Sequence, residues 1–213
     1  MKNSIAVTYS WNRMAYTINK SLSEHGINVY SGDTSYLTMN RYSRYGYKQF
    51  RYPNFYKQPD VFIDFIIDYL QKNSINNLIP THEEIFLISK HIDRFHGINT
   101  LVSDFENIKT AHKKELSVKL AKALDVNIPF SIEPTSREEC FYFFNQMEKP
   151  IVLKYSNSNS SKGVYFINTI SELEFHMHMN GKFILQEYVN GSGYGVSMLY
   201  NKGQKRAIFT HKR

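Results

Sequence analysis

The first hundred residues alternate between short apolar runs and amphipathic segments, and this alternation limits the folds open to the chain. The run IAVTY, residues 5–9, predicts a strand, and residues 12–25 place apolar side chains at the spacing of one helix face. A second strand-like run, INVYSGD, follows Gly26. Strand, helix and strand joined by short connections indicate a parallel α/β sheet.

The same alternation continues along the chain. Residues 61–72 and 83–95 predict two further helices, and residues 77–80 and 100–105 predict two further strands. Together these segments predict a small, open, Rossmann-like sheet with helices on its faces. Ligands of such sheets gather at the carboxyl ends of the strands. One long helix is then predicted over residues 106–124.

The pattern changes after a bend that contains Pro129. A helix beginning near Arg137 leads into the strand-like runs IVLKYS, VYFINT, ILQEYV, GVSMLY and AIFTHKR, with a further helix near residues 171–179. Glycine-containing turns join several of these runs. Short strands joined by such turns predict an antiparallel sheet, so the second region is expected to be an α+β domain.

Composition narrows the class of protein and its partners. The formal charge of +7 and the pI near 9.3 favour an anionic partner, such as a nucleotide, a nucleic acid, an acidic metabolite or an anionic membrane. The single cysteine, Cys140, excludes an internal disulfide framework. No leader peptide opens the sequence and no apolar stretch approaches the length of a membrane span. We therefore expect a reduced, cytoplasmic protein without a membrane partner.

A loop of Ser and Asn interrupts the hairpin IVLKYSNSNSSKGVYFI, residues 151–167. Small residues allow backbone N–H groups to approach an anion, Gly163 can adopt a left-handed turn, and Lys154 adds a cation. The loop is therefore either a phosphate lid or a solvated hairpin tip. A Walker loop is excluded, because no Gly-Lys-Ser/Thr sequence opens a helix here.

The order of these features resembles the ATP-grasp superfamily of carboxylate-amine ligases, with the carbamoyl phosphate synthase large chain as the nearest type. The features are the lysines of HKKELSVKLAKALDVNIP, the strand PIVLKYS, the Ser/Gly loop and the stretch LQEYVNGSGYGVSMLY. The resemblance implies a Rossmann-like preceding domain over residues 1–111. The first, antiparallel α+β part of a truncated ATP-grasp domain then occupies residues 112–213.

The resemblance also implies the residues that hold ATP. Lys113 would contact the α-phosphate, with Lys114 as the competing choice, and Lys154 would bridge the phosphates and the adenine edge. The lid over the β- and γ-phosphates would comprise Ser160, Ser161, Lys162 and Gly163.

The stretch QEYV would hold the adenine base. Gln186 opens this stretch, and Glu187 would accept a hydrogen bond from the adenine amino group. The backbone of Tyr188 and Val189 would pair with the ring nitrogens. Residues 192–195 read SGYG where the family has an acidic ribose contact, so no ribose-binding residue is assigned.

The implied reaction is ATP-dependent activation of a small carboxylate as an acyl phosphate, which an amine or another nucleophile then attacks. The family's acidic Mg²⁺ ligands follow the region that this sequence covers, so Mg²⁺ is expected only in a full-length enzyme. The 213 residues, as a fragment or a natural remnant, are expected to be inactive. No catalytic residue and no oligomeric state are assigned.

Residues 36–57 carry a rival interpretation. Eight aromatic residues alternate there with arginines and lysines, as in modules that bind single-stranded nucleic acid by stacking the bases. The alternative is a long connection whose rings pack against the sheet edge while its cations face water. The ATP-grasp resemblance favours the connection.

Overall fold

The computed structural model of the protein describes residues 3–156, 163–178 and 181–212. The chain divides into two units, Met1–Lys109 and Thr110–Arg213. Each unit has its own sheet and its own hydrophobic core, so each is described by itself.

A parallel sheet forms the centre of the first unit. Among the described residues its five strands follow the order β3-β2-β1-β4-β5. These strands are β1 (Ser4–Val7), β2 (Asn28–Asp33), β3 (Lys48–Arg51), β4 (Asn77–Ile79) and β5 (Asn99–Thr100). Every pairing between them is parallel, which confirms the predicted α/β class. The strand order reverses between β1 and β4, and such a reversal opens a crevice at the carboxyl ends of the two strands.

Helix packing supplies the core of this unit. The helices are α1 (Arg13–Glu24), α2 (Pro59–Lys72), α3 (Glu84–Lys90) and α4 (Phe105–His112), the last of which contains the boundary between the units. α2 begins with a proline in its first turn and buries Phe62, Ile63, Ile66 and Leu70 on one face. Fully burying a side chain of this size contributes about 1.5–3 kcal/mol, so this helix is a major source of stability.

The aromatic and basic segment, residues 36–57, contains an element that the sequence did not predict. β3 lies within it and pairs with β2 at the edge of the sheet. Tyr52 and Phe55 belong to the hydrophobic core, with exposed fractions of 3% and 4%. Buried rings cannot stack on bases. The nucleic-acid interpretation therefore rests on the exposed rings of the segment alone and stays a prediction.

An antiparallel sheet forms the second unit. Four strands follow the order β6-β9-β7-β8 in the described part of this unit. The strands are β6 (Ser131–Ile132), β7 (Ile151–Tyr155), β8 (Val164–Ile167) and β9 (Phe183–Glu187), and the helices are α5 (Lys114–Ala123), α6 (Arg137–Gln146) and α7 (Ile170–Met177). α6 and α7 bury apolar side chains, among them Phe143 and Leu173, against Ile151 and Leu153 of β7. The predicted α+β architecture is confirmed.

The prediction of a single helix over residues 106–124 is wrong, because two helices, α4 and α5, occupy this segment. The helical conformation is interrupted at Lys113, between α4 and α5. The backbone of Lys113 is extended, with φ −85° and ψ 118°. The hydroxyl of Ser117 donates to the carbonyl oxygens of Thr110 (2.8 Å) and Ala111 (3.1 Å). These bonds satisfy carbonyls at the end of α4 that a continuous helix would otherwise have paired.

A hairpin ends the described chain. Its strands are β10 (Tyr194–Asn201) and β11 (Gln204–Lys212), and Lys202 and Gly203 form the turn with φ values of 48° and 74°. Two consecutive residues with positive φ are typical of the tight turns that match strand twist.

Within the described ranges, no helix has the length and apolar character needed to cross a bilayer.

Candidate functional site

Lys154 lies on a strand in the interior of the second unit's sheet. It lies on β7, between Val164 of β8 and Ile184 of β9. Its Nζ donates a hydrogen bond to Oε1 of Gln186 over 2.5 Å. Burial lowers the pKa of Lys154, and the positive charge of Lys114 lowers it further. A partly desolvated ammonium group beside a second cation is favourably placed to bind an anion.

A chain of hydrogen bonds orients Gln186. This residue of β9 is buried, and its Nε2 donates to the hydroxyl of Ser131 over 2.7 Å. Ser131 in turn donates to the carbonyl oxygen of Pro129 over 2.6 Å. The amide therefore presents its oxygen to Lys154 and its nitrogen to β6. This arrangement holds the ammonium group of Lys154 in one place on the sheet.

Lys114 supplies the second cation. It is the first residue of α5, and its Nζ donates to the carbonyl oxygen of Tyr155 over 2.8 Å. Burial lowers the pKa of Lys114, while the neighbouring carboxylate of Glu115 opposes this effect. Because Tyr155 directly follows Lys154 on β7, the helix start and the strand bring the two amines to one region.

Lys113 has a different position. It is the N-cap residue of α5, where its side chain makes no capping bond. Burial acts to raise the pKa of Glu115, but hydrogen bonds and the charges of Lys113 and Lys182 outweigh it and lower the pKa. Lys113 and Lys114 thus both interact with the carboxylate of Glu115, and the charge of Lys114 also acts on Lys154.

The predicted lid is described at one end. Gly163 has φ 73°, and its carbonyl oxygen accepts a hydrogen bond from the backbone N–H of Tyr155 over 2.9 Å. This left-handed conformation favours glycine and begins the return strand β8. Ser160, Ser161 and Lys162 lie outside the described residues.

The predicted adenine contacts follow one another at the end of β9. Glu187 forms a reciprocal pair with Phe130: its backbone N–H donates to the carbonyl of Phe130 (2.9 Å), and its Oε1 accepts from the N–H of Phe130 (2.8 Å). Tyr188 and Val189 follow with exposed fractions of 45% and 61%. Both residues after the strand are thus exposed.

Residues 110–213 match the family described as the ATP-grasp domain. The second unit belongs to the ATP-grasp superfamily. The match includes α5, β7 and β9, which carry Lys114, Lys154 and Gln186. A comparison of the whole chain with curated proteins finds no match.

Solved structures share the fold of the whole chain, including the unit before the ATP-grasp unit. N5-carboxyaminoimidazole synthetase from Staphylococcus aureus, complexed with ADP, is 11% identical with a TM-score of 0.73, over 100% of this chain and 55% of that one. L-amino acid ligase from Bacillus licheniformis is 14% identical with a TM-score of 0.70, over 99% and 49%.

A third structure is the biotin carboxylase domain of 2-oxoglutarate carboxylase from Hydrogenobacter thermophilus, in complex with MgADP, ADP and bicarbonate. It is 15% identical with a TM-score of 0.63, over 93% of this chain and 46% of that one. The chain therefore spans about half the length of these structures.

The described residues do not fit a magnesium site. Mg²⁺ requires several oxygen ligands in nearly octahedral geometry. No group of three His, Cys, Asp or Glu residues in the described ranges of the chain could hold a metal ion. The described part of this site therefore offers amines and hydrogen-bonding groups but no set of metal ligands.

Two contributors to the ATP-grasp unit were missed in the sequence. The hydroxyl of Ser131 accepts a hydrogen bond from Gln186, and the backbone N–H of Phe130 donates to one carboxylate oxygen of Glu187. Both act through the antiparallel pairing of β6 with β9, across more than fifty positions of sequence. The two-residue length of β6 gives no periodic signal from which that pairing could be predicted.

Proposed function

We propose that this chain contains the ATP-binding part of an ATP-dependent carboxylate-amine ligase, which activates a small carboxylate as an acyl phosphate. The observation that carries the proposal is the pair of partly desolvated amines, Lys114 and Lys154, within residues that match the ATP-grasp domain. We propose the carbamoyl phosphate synthase-like type, with residues 1–111 as the preceding domain and 112–213 as the nucleotide-gripping part.

In this proposal Lys154 contacts both the phosphates and the adenine edge. Ser160, Ser161, Lys162 and Gly163 cover the β- and γ-phosphates. Their backbone N–H groups and hydroxyls are suitable donors for an anion.

Glu187 has one carboxylate oxygen for the base. Phe130 donates to Oε1, while Oε2 has no hydrogen-bond donor among the described residues. We propose that the adenine amino group donates to Oε2 and that the backbone of Tyr188 and Val189 pairs with the ring nitrogens. Gln186 acts indirectly, by orienting Lys154.

The substrates follow from the same proposal. ADP, MgADP and bicarbonate accompany the solved proteins named above, and one of those proteins is an L-amino acid ligase. These partners support a nucleotide and a small carboxylate as the ligands of this chain. Mg²⁺ would require residues other than those described. The reduced state expected of a chain with one cysteine supports a cytoplasmic location.

Titration of the 213-residue chain with ADP in a calorimeter tests the proposal. We expect weak, saturable binding, and we expect Lys154→Gln to reduce the affinity about tenfold or more, because it removes charge-assisted hydrogen bonds to phosphate. Lys119→Gln is the matched control, since Lys119 lies on α5 in an exposed ion pair with Glu133. Equal affinities for the wild type and Lys154→Gln would contradict the proposal.

The same titration separates Lys113 from Lys114 as the α-phosphate contact. We propose Lys114, because its charge already acts on Lys154. Lys114→Gln should then weaken ADP binding several-fold more than Lys113→Gln. The opposite order would assign the contact to Lys113. We expect no ATP hydrolysis by any of these proteins, and hydrolysis that Lys154→Gln abolishes would show this expectation to be wrong.

A further inference from the structure

A small cavity lies in the first unit, far along the sequence from the proposed nucleotide site. It has a volume of about 130 Å³ and lies where β2 and β3 end, at Asp33 and Arg51. Since a water molecule occupies about 30 Å³ of liquid, the space suits a group of a few heavy atoms. The carboxyl ends of parallel strands are common sites for ligands.

Two guanidinium groups line this cavity. Arg41 and Arg51 both lie over the ring of Tyr36, at 5.5 Å and 5.2 Å from its centroid. Arg51 is also held by its Nε, which donates to the carbonyl oxygen of Thr34 over 2.8 Å. Among the ion pairs of the described chain, neither arginine has a carboxylate partner. Both cations are thus positioned by an aromatic ring and available to an anion.

The hydroxyls that line the cavity are also donors. Ser35 Oγ already accepts from the N–H of Leu37 (3.1 Å), and Thr38 Oγ1 accepts from the N–H of Arg41 (3.3 Å). Neither hydroxyl donates to an acceptor within the described residues. A hydroxyl has one O–H to donate, so each can still donate to a ligand.

The one carboxylate at the cavity is occupied by the chain itself. Asp33 accepts from the backbone N–H groups of Trp11 (2.9 Å) and Ser35 (3.0 Å) and from the hydroxyl of Thr34 (3.4 Å). These bonds hold the turn after β1. Because the oxygens of Asp33 are already engaged, they compete little with a bound anion for the N–H donors of the two arginines. Two cations against one engaged carboxylate leave the lining with a net positive charge.

We propose that this cavity binds the oxyanion of a small molecule, either a phosphate or a carboxylate group. Arg41 and Arg51 supply the charge and paired N–H donors, and Ser35 and Thr38 supply O–H donors. Planar guanidinium groups match both oxyanions in two-point contacts. The cavity would then be a second anion site, separate from the phosphates held by Lys114 and Lys154.

Titration of the full chain with inorganic phosphate and, separately, with acetate tests this site, with backbone amide shifts recorded by NMR. We expect saturable shifts in residues 31–51, and a loss of affinity of about tenfold or more in both Arg41→Gln and Arg51→Gln. Arg44→Gln is the matched control. Arg44 belongs to the same segment, but it stacks on Tyr45 and donates to that hydroxyl, outside the cavity.

Lys154→Gln separates this proposal from the proposed nucleotide site. Phosphate or acetate binding at residues 31–51 should persist in that variant, and the tighter of the two ligands identifies the oxyanion class. Saturation by neither ligand would overturn the proposal. So would an equal loss of affinity in Arg44→Gln, because binding would then depend only on overall charge. Circular dichroism of each variant verifies that the fold is retained.

Discussion

Glu84 is a buried carboxylic acid at the start of α3 in the first unit. Its exposed fraction is 0%, and its Oε1 accepts from the hydroxyl of Thr8 (2.5 Å) and the N–H of Thr81 (3.0 Å). Its Oε2 is buried without a hydrogen-bond donor among the described residues. Burial raises the pKa of Glu84 above its ordinary value, although these hydrogen bonds and the charge of His82 act to lower it.

The raised pKa predicts the pH dependence of stability. The folded state binds the Glu84 proton more tightly than the unfolded state, so the contribution of this group is most favourable below about pH 4.5 and declines as the pH rises through the folded-state pKa. Relative to Glu84→Gln, the wild type should therefore lose free energy of unfolding between pH 4.5 and neutrality. Urea unfolding of both proteins at several pH values measures this difference. A wild type that gains stability relative to the variant over that range would contradict the assignment.

At the scale of single elements, α7 begins with a complete capping box. The hydroxyl of Thr169 accepts from the N–H of Glu172 (3.2 Å), and the carboxylate of Glu172 accepts from the N–H of Thr169 (3.2 Å). The two bonds satisfy backbone donors that the helix leaves unpaired. Because α7 buries Leu173 in the core of the ATP-grasp unit, its start is coupled to the packing of the sheet.

We predict that Thr169→Ala lowers the free energy of unfolding of the ATP-grasp unit by about 1 kcal/mol. Ser171→Ala is the control, because Ser171 is exposed within the same first turn and is not the capping residue. Urea unfolding followed by far-ultraviolet circular dichroism compares the two variants. Equal stabilities of Thr169→Ala and Ser171→Ala would show that the cap contributes nothing.

Elements with a periodic pattern could be predicted from the sequence, and those defined by their partners could not. The strands and helices of the β1–α1–β2 region and the β7–β8 hairpin carry long apolar patterns, and they form as predicted. β3, by contrast, is an edge strand within a segment of mixed rings and cations. The strand conformation of β3 depends on its pairing with β2, and the intrinsic propensities of its own residues do not predict it.

The break in the predicted helix of residues 106–124 has the same origin. The apolar residues that predict a helix, Leu116, Leu120, Ala121 and Ala123, all follow Lys113, so their spacing does not fix where that helix begins. The bonds from Ser117 to the end of α4 favour two helices, and they make Lys114 the first residue of α5. Sequence order grouped Lys154 with the QEYV stretch in one candidate site, and that site stays a prediction. The hydrogen bond from Lys154 to Gln186 required the pairing of β7 with β9.

At the scale of the whole chain, each of the two units carries one of the proposed anion-binding sites. The ATP-grasp unit carries the amines of Lys114 and Lys154, and the preceding unit carries the guanidinium groups of Arg41 and Arg51. Each pair of cations is held by its own sheet and its own core. The basic charge of the chain, +7 overall, therefore includes two distinct groups of positioned cations as well as a diffuse surface charge.

This separation predicts where a nucleotide slows amide hydrogen exchange. A ligand stabilises only the state that binds it, by about 2.7 kcal/mol at a hundredfold excess over its Kd. ADP at that concentration should slow exchange in β7 and β9 by up to about a hundredfold, because their amides open with the unit that holds the ligand. Exchange in β1, β2 and β4 should change little. At the same ADP concentration, a tenfold weaker affinity of Lys154→Gln should reduce the slowing in β7 and β9 from about a hundredfold to about tenfold. Equal slowing in both units, measured by mass spectrometry of peptic fragments, would show that nucleotide binding stabilises the preceding unit as well and that the ATP-grasp unit does not respond alone.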